Sequence, residues 1–266
     1  MWSRKSSPER GGEPCDARWR GWDAVRRPPS VSASRFHLPV PGKSLLLLLA
    51  LASCRAAPEE PRFPKADREI AAIVSDSFST EDVRDRLGEF TRVVELAGVK
   101  PGMWVADVGA GEGYYAVRLS QVVGPRGRVL AEDIVPEFHA RLAQRVQRER
   151  LDNVAVVLGD AANPKLPARS FDRIFLVHMY HEVTSPYAFL WHLRPALKPG
   201  GQVIVVDANR VPQRHGFPPE LLKCEFAAVG LQLRKFEPIE GADAYFAAFE
   251  AVGERPEPAK IRPCAG

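Results

Sequence analysis

The groups best able to do chemistry in this chain are concentrated in Val105-Ala-Asp-Val-Gly-Ala-Gly-Glu-Gly113. A carboxylate, Asp107, lies near the end of an apolar run that begins at Met103. Three glycines follow at G-x-G-x-G spacing: Gly109, Gly111 and Gly113. Glycine serves where backbone must turn sharply or approach a ligand with no Cβ in the way. A strand, a glycine turn and a helix N-terminus together form a corner that receives the polar part of a nucleotide. Spacing then separates one nucleotide from another. A pyrophosphate-bearing dinucleotide asks for G-x-G-x-x-G, but here the third glycine comes one residue early. Asp107, two residues before the first glycine, would also sit badly beside a pyrophosphate. It is suited to ordering the loop or, directly or through water, to binding an ammonium group.

Further candidates end the apolar runs that follow. Glu132 and Asp133 lie about twenty residues beyond the glycines, Gly159-Asp160-Ala161 follows the next run, and Val177-His-Met-Tyr-His-Glu182 ends a fourth. An imidazole at His178 or His181 is suited to proton transfer near neutral pH. The order H-x-x-H-E matches neither H-E-x-x-H nor H-x-x-E-H. His178, His181 and Glu182 would hold an ion only if they converged, so no metal is expected. Tyr114, Tyr115 and Tyr180 are candidates to line the pocket or to pack, and His215 to border its mouth.

The elements that must position these groups alternate. Arg128 to Asp133 reads as a second strand, and Pro136 opens a helix with Phe138, Leu142 and Val146 on one face. Val154 to Leu158 and Arg173 to Val177 are further strands. A helix spans Pro186 to Leu197 and ends at Lys198-Pro-Gly-Gly201, and Gln202 to Val206 is a fifth strand. A helix from Pro219 to Val229 precedes an antiparallel pair, Leu231 to Phe236 and Tyr245 to Ala251. Near-continuous apolar strands separated by helices predict a largely parallel sheet covered on both faces.

This ordered set resembles class I S-adenosylmethionine (SAM)-dependent methyltransferases over residues 85–252. The resemblance implies a Rossmann-like α/β fold: a seven-stranded, mostly parallel sheet with helices on both faces and an antiparallel C-terminal pair. It also implies that SAM is the cofactor, held by Asp107, Gly109, Ala110, Gly111 and Gly113. Asp133 would take the ribose hydroxyls, with Glu132 replacing a usual apolar residue. Asp160 would accept from the adenine amino group, and Ala161 would read the ring edge through its main chain. Ser170-Phe-Asp172 and Pro195-Ala-Leu-Lys-Pro-Gly-Gly201 match further family elements, the acid of the first being mainly structural. Helical patterns within 66–98 would cover the cofactor.

The implied reaction is in-line methyl transfer to an unidentified acceptor, expected to be a small molecule. His181 is the expected general base or acceptor-positioning residue, with Tyr180 packing on its ring and Glu182 orienting it; His178 is expected to matter more for stability or cofactor binding. Two alternatives stay open. One is a SAM- or nucleotide-binding lipoprotein without transferase activity. The other is a nicotinamide-dependent oxidoreductase, disfavoured by the glycine spacing and by the lack of a Tyr-x-x-x-Lys pair.

Composition bounds the rest. The 266 residues are 45% hydrophobic, enough for one sizeable α/β domain. The net charge of +4 comes from residues 1–53, which hold nine Lys/Arg against four Asp/Glu; the remainder holds 28 against 29. Nucleic acid is therefore not an expected partner. Lys43 followed by Ser44-Leu-Leu-Leu-Leu-Leu-Ala-Leu-Ala-Ser-Cys54 has the apolar length of a signal peptide, and its end resembles a bacterial lipobox. Cys54 is then the lipidation site, and the expected location is a membrane-anchored, exported lipoprotein; without processing of the leader it would be cytoplasmic. Residues 1–39 would result from a misassigned start if Val40 is the true initiator. Residues 54–66 read as a flexible tether, 67–252 as the catalytic domain and 253–266 as a tail. Cys15, Cys224 and Cys264 show no metal-ligand spacing and no disulfide framework.

Overall fold

The apolar runs from Met103 onward are short and bounded by glycine, proline or charge, which suits buried strands. In the computed structural model residues 61–73, 81–240 and 243–265 are described; the leader, Cys54 and the first part of the tether lie outside them. Two helices, α1 (Glu81–Arg86) and α2 (Glu89–Ala97), come first. The chain then runs β1 (Trp104–Val108), α3 (Tyr114–Val123), β2 (Arg128–Asp133), α4 (Pro136–Arg148), β3 (Val154–Leu158) and β4 (Phe171–Val177). It continues through α5 (Pro186–Leu193), β5 (Leu197–Asp207), α6 (Pro219–Ala228), β6 (Leu231–Ile239) and β7 (Ala244–Ala251). The seven strands form one sheet in the order β3-β2-β1-β4-β5-β7-β6. The first five pair in parallel, and β7 runs antiparallel to both β5 and β6. This is the mixed seven-stranded sheet that the sequence implies.

Alternation along the strands divides the core into two layers. Val93 and Ala97 of α2, Leu119 and Val123 of α3 and Leu142 of α4 bury against Val105, Val129, Phe175, Ile204 and Phe246. Val203 and Val205 are buried on the opposite side of β5. There α6 packs on β7, with the Phe226 and Phe249 rings 4.2 Å apart. Strand order reverses between β1 and β4, so the chain leaves these neighbours in opposite directions and opens a crevice beyond their carboxyl ends.

Several boundaries differ from the sequence reading, two of them for a plain physical reason. The helix from Pro186 stops at Leu193 and tightens into a 3-10 turn, Arg194–Ala196, because Pro195 has no N–H to continue the ladder. Strand β5 begins at Leu197 rather than Gln202, since Leu197 pairs with Phe171 across an irregularity in the β4–β5 register.

The ends of the body are pinned. Cys224 of α6 and Cys264 form a disulfide, with Cα atoms 6.1 Å apart. That corrects the reading of the cysteines: the partners are 40 residues apart and meet only because the tail folds back across α6, which spacing alone does not reveal. Cys264 N–H donates to the Tyr187 hydroxyl at 2.7 Å, and Asp67 bridges to Ala265. Within the tether as read, Phe63 packs edge-on against Trp191. Arg68 buries its guanidinium over Phe217, 4.6 Å from the ring centroid, and pairs with Glu225 at 2.8 Å. Ala71 N–H donates to the His181 carbonyl at 3.0 Å, so this strap also holds the segment after β4. Among the described residues no helix is long and apolar enough to cross a membrane.

Candidate active site

The crevice at the β1 and β4 ends holds a pocket. Its walls include the glycine loop (Asp107, Gly109, Ala110, Gly111), the β2 and β3 ends (Glu132, Asp133, Asp160, Ala161) and the segment after β4 (His178, Met179, Glu182). The loop conformation demands its glycines. Gly113 has φ 91° and a Cβ there would fall on the Leu142 side chain, while Gly109 has φ 69° and faces Met179. Asp107 is buried at the pocket wall. All the cofactor residues expected from sequence line this pocket except Gly113, which closes the turn behind it and caps α3.

The two acids ending β2 do different things. Asp133 accepts from Gly111 N–H and Val135 N–H, both at 2.8 Å, and so ties the glycine loop to the start of α4. Glu132 is 1% exposed. Its carboxyl lies over Gly159, where no Cβ would fit, and its Oε1 has no hydrogen-bond partner among the described residues. Burial and the neighbouring Asp133 push its pKa up to about 8, against the Gly109 N–H, with Asp107 and Asp160 adding to the rise. The folded state therefore keeps a proton that the unfolded chain releases from about pH 4.5. Stability from this group is complete below that pH and is lost as pH rises through 8. Glu132→Gln should flatten the stability–pH profile between pH 5 and 8 by up to ~1.4 kcal/mol per pH unit and leave the variant the more stable protein at pH 8. Thermal melts of both proteins across that range check this; parallel profiles would mean that Glu132 is ionised in the folded protein.

Asp160 is exposed, accepts from Ala162 N–H at 3.3 Å and pairs with Lys165 at 3.4 Å. Asp172 accepts from Trp104 N–H at 2.8 Å and from Lys198 at 2.6 Å, joining β1, β4 and β5. Its work is structural.

Against His178, helix α2 supplies a residue that sequence reasoning missed. Glu89 is buried, 2.9 Å from His178 Nε2, and takes 2.7 and 3.1 Å hydrogen bonds from Arg84 and the Tyr115 hydroxyl. Burial alone would raise its pKa, but His178 and Arg84 beside it win and hold it near 2. A carboxylate only accepts, so His178 carries its proton on Nε2 and leaves Nδ1 as its basic atom. His178 itself has φ 52°, an uncommon conformation for a non-glycine residue.

His181 is placed differently from His178. It is 3% exposed and stands behind the pocket wall, its Nδ1 2.9 and 3.1 Å from the two oxygens of the fully buried Asp207. Asp207 orients it, not Glu182. Tyr180 packs on Phe217 and Phe226 and donates to Glu225 at 2.7 Å; it is not among the residues lining this pocket, whereas Tyr114 and Tyr115 are. His215 stands by His181, ring centroids 5.6 Å apart. His181, Glu182 and His215 converge, while His178 turns to Glu89.

The cover helices dock through ion pairs. Glu81 of α1 meets Arg118 of α3 and Arg145 of α4, and Asp85 meets Arg118. Arg84 reaches the pocket from the same helix.

Residues 105–201 match the family described as methyltransferase domain. A protein-L-isoaspartate O-methyltransferase of Methanothrix thermoacetophila is 30% identical over 111 residues, 42% of this chain and 50% of that protein. A ubiquinone/menaquinone biosynthesis C-methyltransferase of Cupriavidus necator is 32% identical over 158 residues, 55% of this chain and 63% of its own length. The chain thus spans about half the length of the first of these curated relatives and less than two thirds of the second. Among solved structures, a SAM-dependent methyltransferase from Aquifex aeolicus superposes with a TM-score of 0.59 at 25% identity, covering 64% of this chain and 93% of the other. The [4+2]-cyclase SpnF shares the fold at 0.53 and 16% identity, covering 73% and 88%. Family match, glycine loop and acid-lined crevice agree: residues 105–201 are similar to a methyltransferase domain, and the cofactor implied for the site is SAM.

Proposed function

We propose that the chain transfers a methyl group from SAM to a small acceptor that enters beside His178 and Glu182. One observation carries the reading: a glycine loop and four carboxyl groups (Asp107, Glu132, Asp133, Asp160) line a pocket to which a carboxylate-held histidine, His178, also belongs. Carboxyl groups suit a cofactor with an ammonium, a sulfonium, ribose hydroxyls and an adenine amino group, and they oppose a pyrophosphate. Bound SAM supplies an already activated methyl group. The protein has chiefly to align the reactants and exclude water. Asp107 takes the ammonium end, Asp133 the ribose hydroxyls, and Asp160 with Ala161 the adenine. His178 Nδ1 accepts a proton from acceptors that must lose one.

Calorimetry and thermal shift with SAM, S-adenosylhomocysteine and NAD test this. Both sulfur nucleotides should bind and raise the melting temperature, and NAD should not; silence with both at millimolar concentration would sink the reading. Asp133→Ala should cost SAM binding roughly 1.5–3 kcal/mol, more than Glu132→Ala. The reverse order would make Glu132 the ribose acid.

We further propose that Cys54 carries a lipid and that the body works outside the cytoplasm. The Cys224–Cys264 disulfide supports this, because such bonds persist in oxidising compartments. The full chain should fractionate with membranes and Cys54→Ala should release it. A mature mass that retains residues 1–53 would overturn the anchor.

A further inference from the structure

His181, Glu182 and His215 each offer one ligand atom, and those atoms lie within 4.8 Å of one another. The three come from two elements. His181 and Glu182 are consecutive in the 3-10 turn Tyr180–Glu182 after β4. His215 ends the turn Pro212–Arg214 on the loop after β5, at φ 51°. A non-glycine residue persists there only where its surroundings impose it, and here a Cβ on the following Gly216 would meet the Ala208 carbonyl. The loop can take few other paths.

His181 is oriented from behind. Asp207 accepts at both oxygens, so the proton sits on Nδ1 and Nε2 presents its lone pair. Metal-binding imidazoles have this partner on the nitrogen remote from the ion. Asp207 also accepts from Ala208 N–H at 2.8 Å and has no exposed surface, so the carboxylate is fixed.

We propose that His181, Glu182 and His215 bind one divalent first-row transition ion, with Asp207 as the outer partner of His181. Two imidazoles and a carboxylate suit such ions, and three protein ligands leave positions open to an incoming group. Glu182 belongs both to this cluster and to the pocket wall. The open positions therefore face the acceptor side, where they would hold an oxygen donor of the acceptor. That last step rests on the methyl-transfer reading; the metal site does not. Metal–ligand distances near 2.0–2.2 Å put ligand atoms roughly 3–3.5 Å apart, so binding closes the widest gap by about an ångström through rotation of the half-buried Glu182 and His215 side chains.

The test uses the untagged full chain, stripped with a chelator and titrated with Zn2+ by calorimetry and with Co2+ by visible absorption. One ion per chain is expected. Glu182→Gln and His215→Ala should each weaken binding at least tenfold, and thermal melts of the metal-free variants show which are folded. No stoichiometric uptake by the parent chain, or uptake that survives in every folded variant, overturns the site. Metal uptake without any SAM binding would refute the methyl-transfer reading and leave the metal site standing.

Discussion

Replacing His178 with alanine is expected to lower methyl transfer by about 10²–10⁴-fold on an acceptor that must lose a proton, the usual worth of a positioned base. SAM affinity should change only a few-fold, since the carboxyl groups that would hold the cofactor come from the β1, β2 and β3 ends and His178 from the segment after β4. The effect is large because His178 is pre-set. Glu89 fixes its ring and tautomer at 2.9 Å, and Arg84 holds Glu89 in turn. A methyl-incorporation screen with labelled SAM must first supply the acceptor. Turnover then measures the chemistry, and calorimetry measures the cofactor. Equal turnover by His178→Ala and the parent would leave catalysis to alignment alone.

The second large effect concerns stability. Cys224→Ala/Cys264→Ala opens a 40-residue loop, and on the chain-entropy account that costs about 4 kcal/mol. For a body of this size the melting temperature should fall by roughly 8–15 °C. Reductant added to the parent should produce the same loss, and differential scanning calorimetry reads both. An unchanged melt would show that Arg68–Glu225 and the Tyr187 hydroxyl hold the strap without the covalent bond.

The sheet was legible because its strands are continuous apolar runs with sharp ends. Arg128–Asp133 and Val154–Leu158 are strands over the residues read from sequence. The glycine loop was legible for a related reason: its backbone conformation excludes other residue types, so the requirement shows in the letters themselves. What stayed hidden was every pairing across distance. Glu89 precedes His178 by 89 residues and reads as an ordinary helix-opening acid. Asp207 ends β5 with nothing to mark it as the partner of His181. The histidine string after β4 invited a choice between neighbours. Backbone geometry then sent His178 to the pocket wall and His181 behind it, a distinction of side-chain direction that composition does not carry. Tyr180 was ambiguous for the same reason. The cysteine pair needed the fold of the tail.

Outermost strands carry unused backbone donors and acceptors and invite a second chain to add on laterally. Here the margins are β3, five residues long, and β6. Strand β6 reads Leu231-Gln-Leu-Arg-Lys-Phe-Glu-Pro-Ile239. Its adjacent cations would repel the same strand of another copy, Pro238 has no donor to offer, and its register shifts between Leu233 and Lys235, which bends the margin. Both margins thus resist accretion, and copies that meet at high local density would have to associate, if at all, through helices or loops.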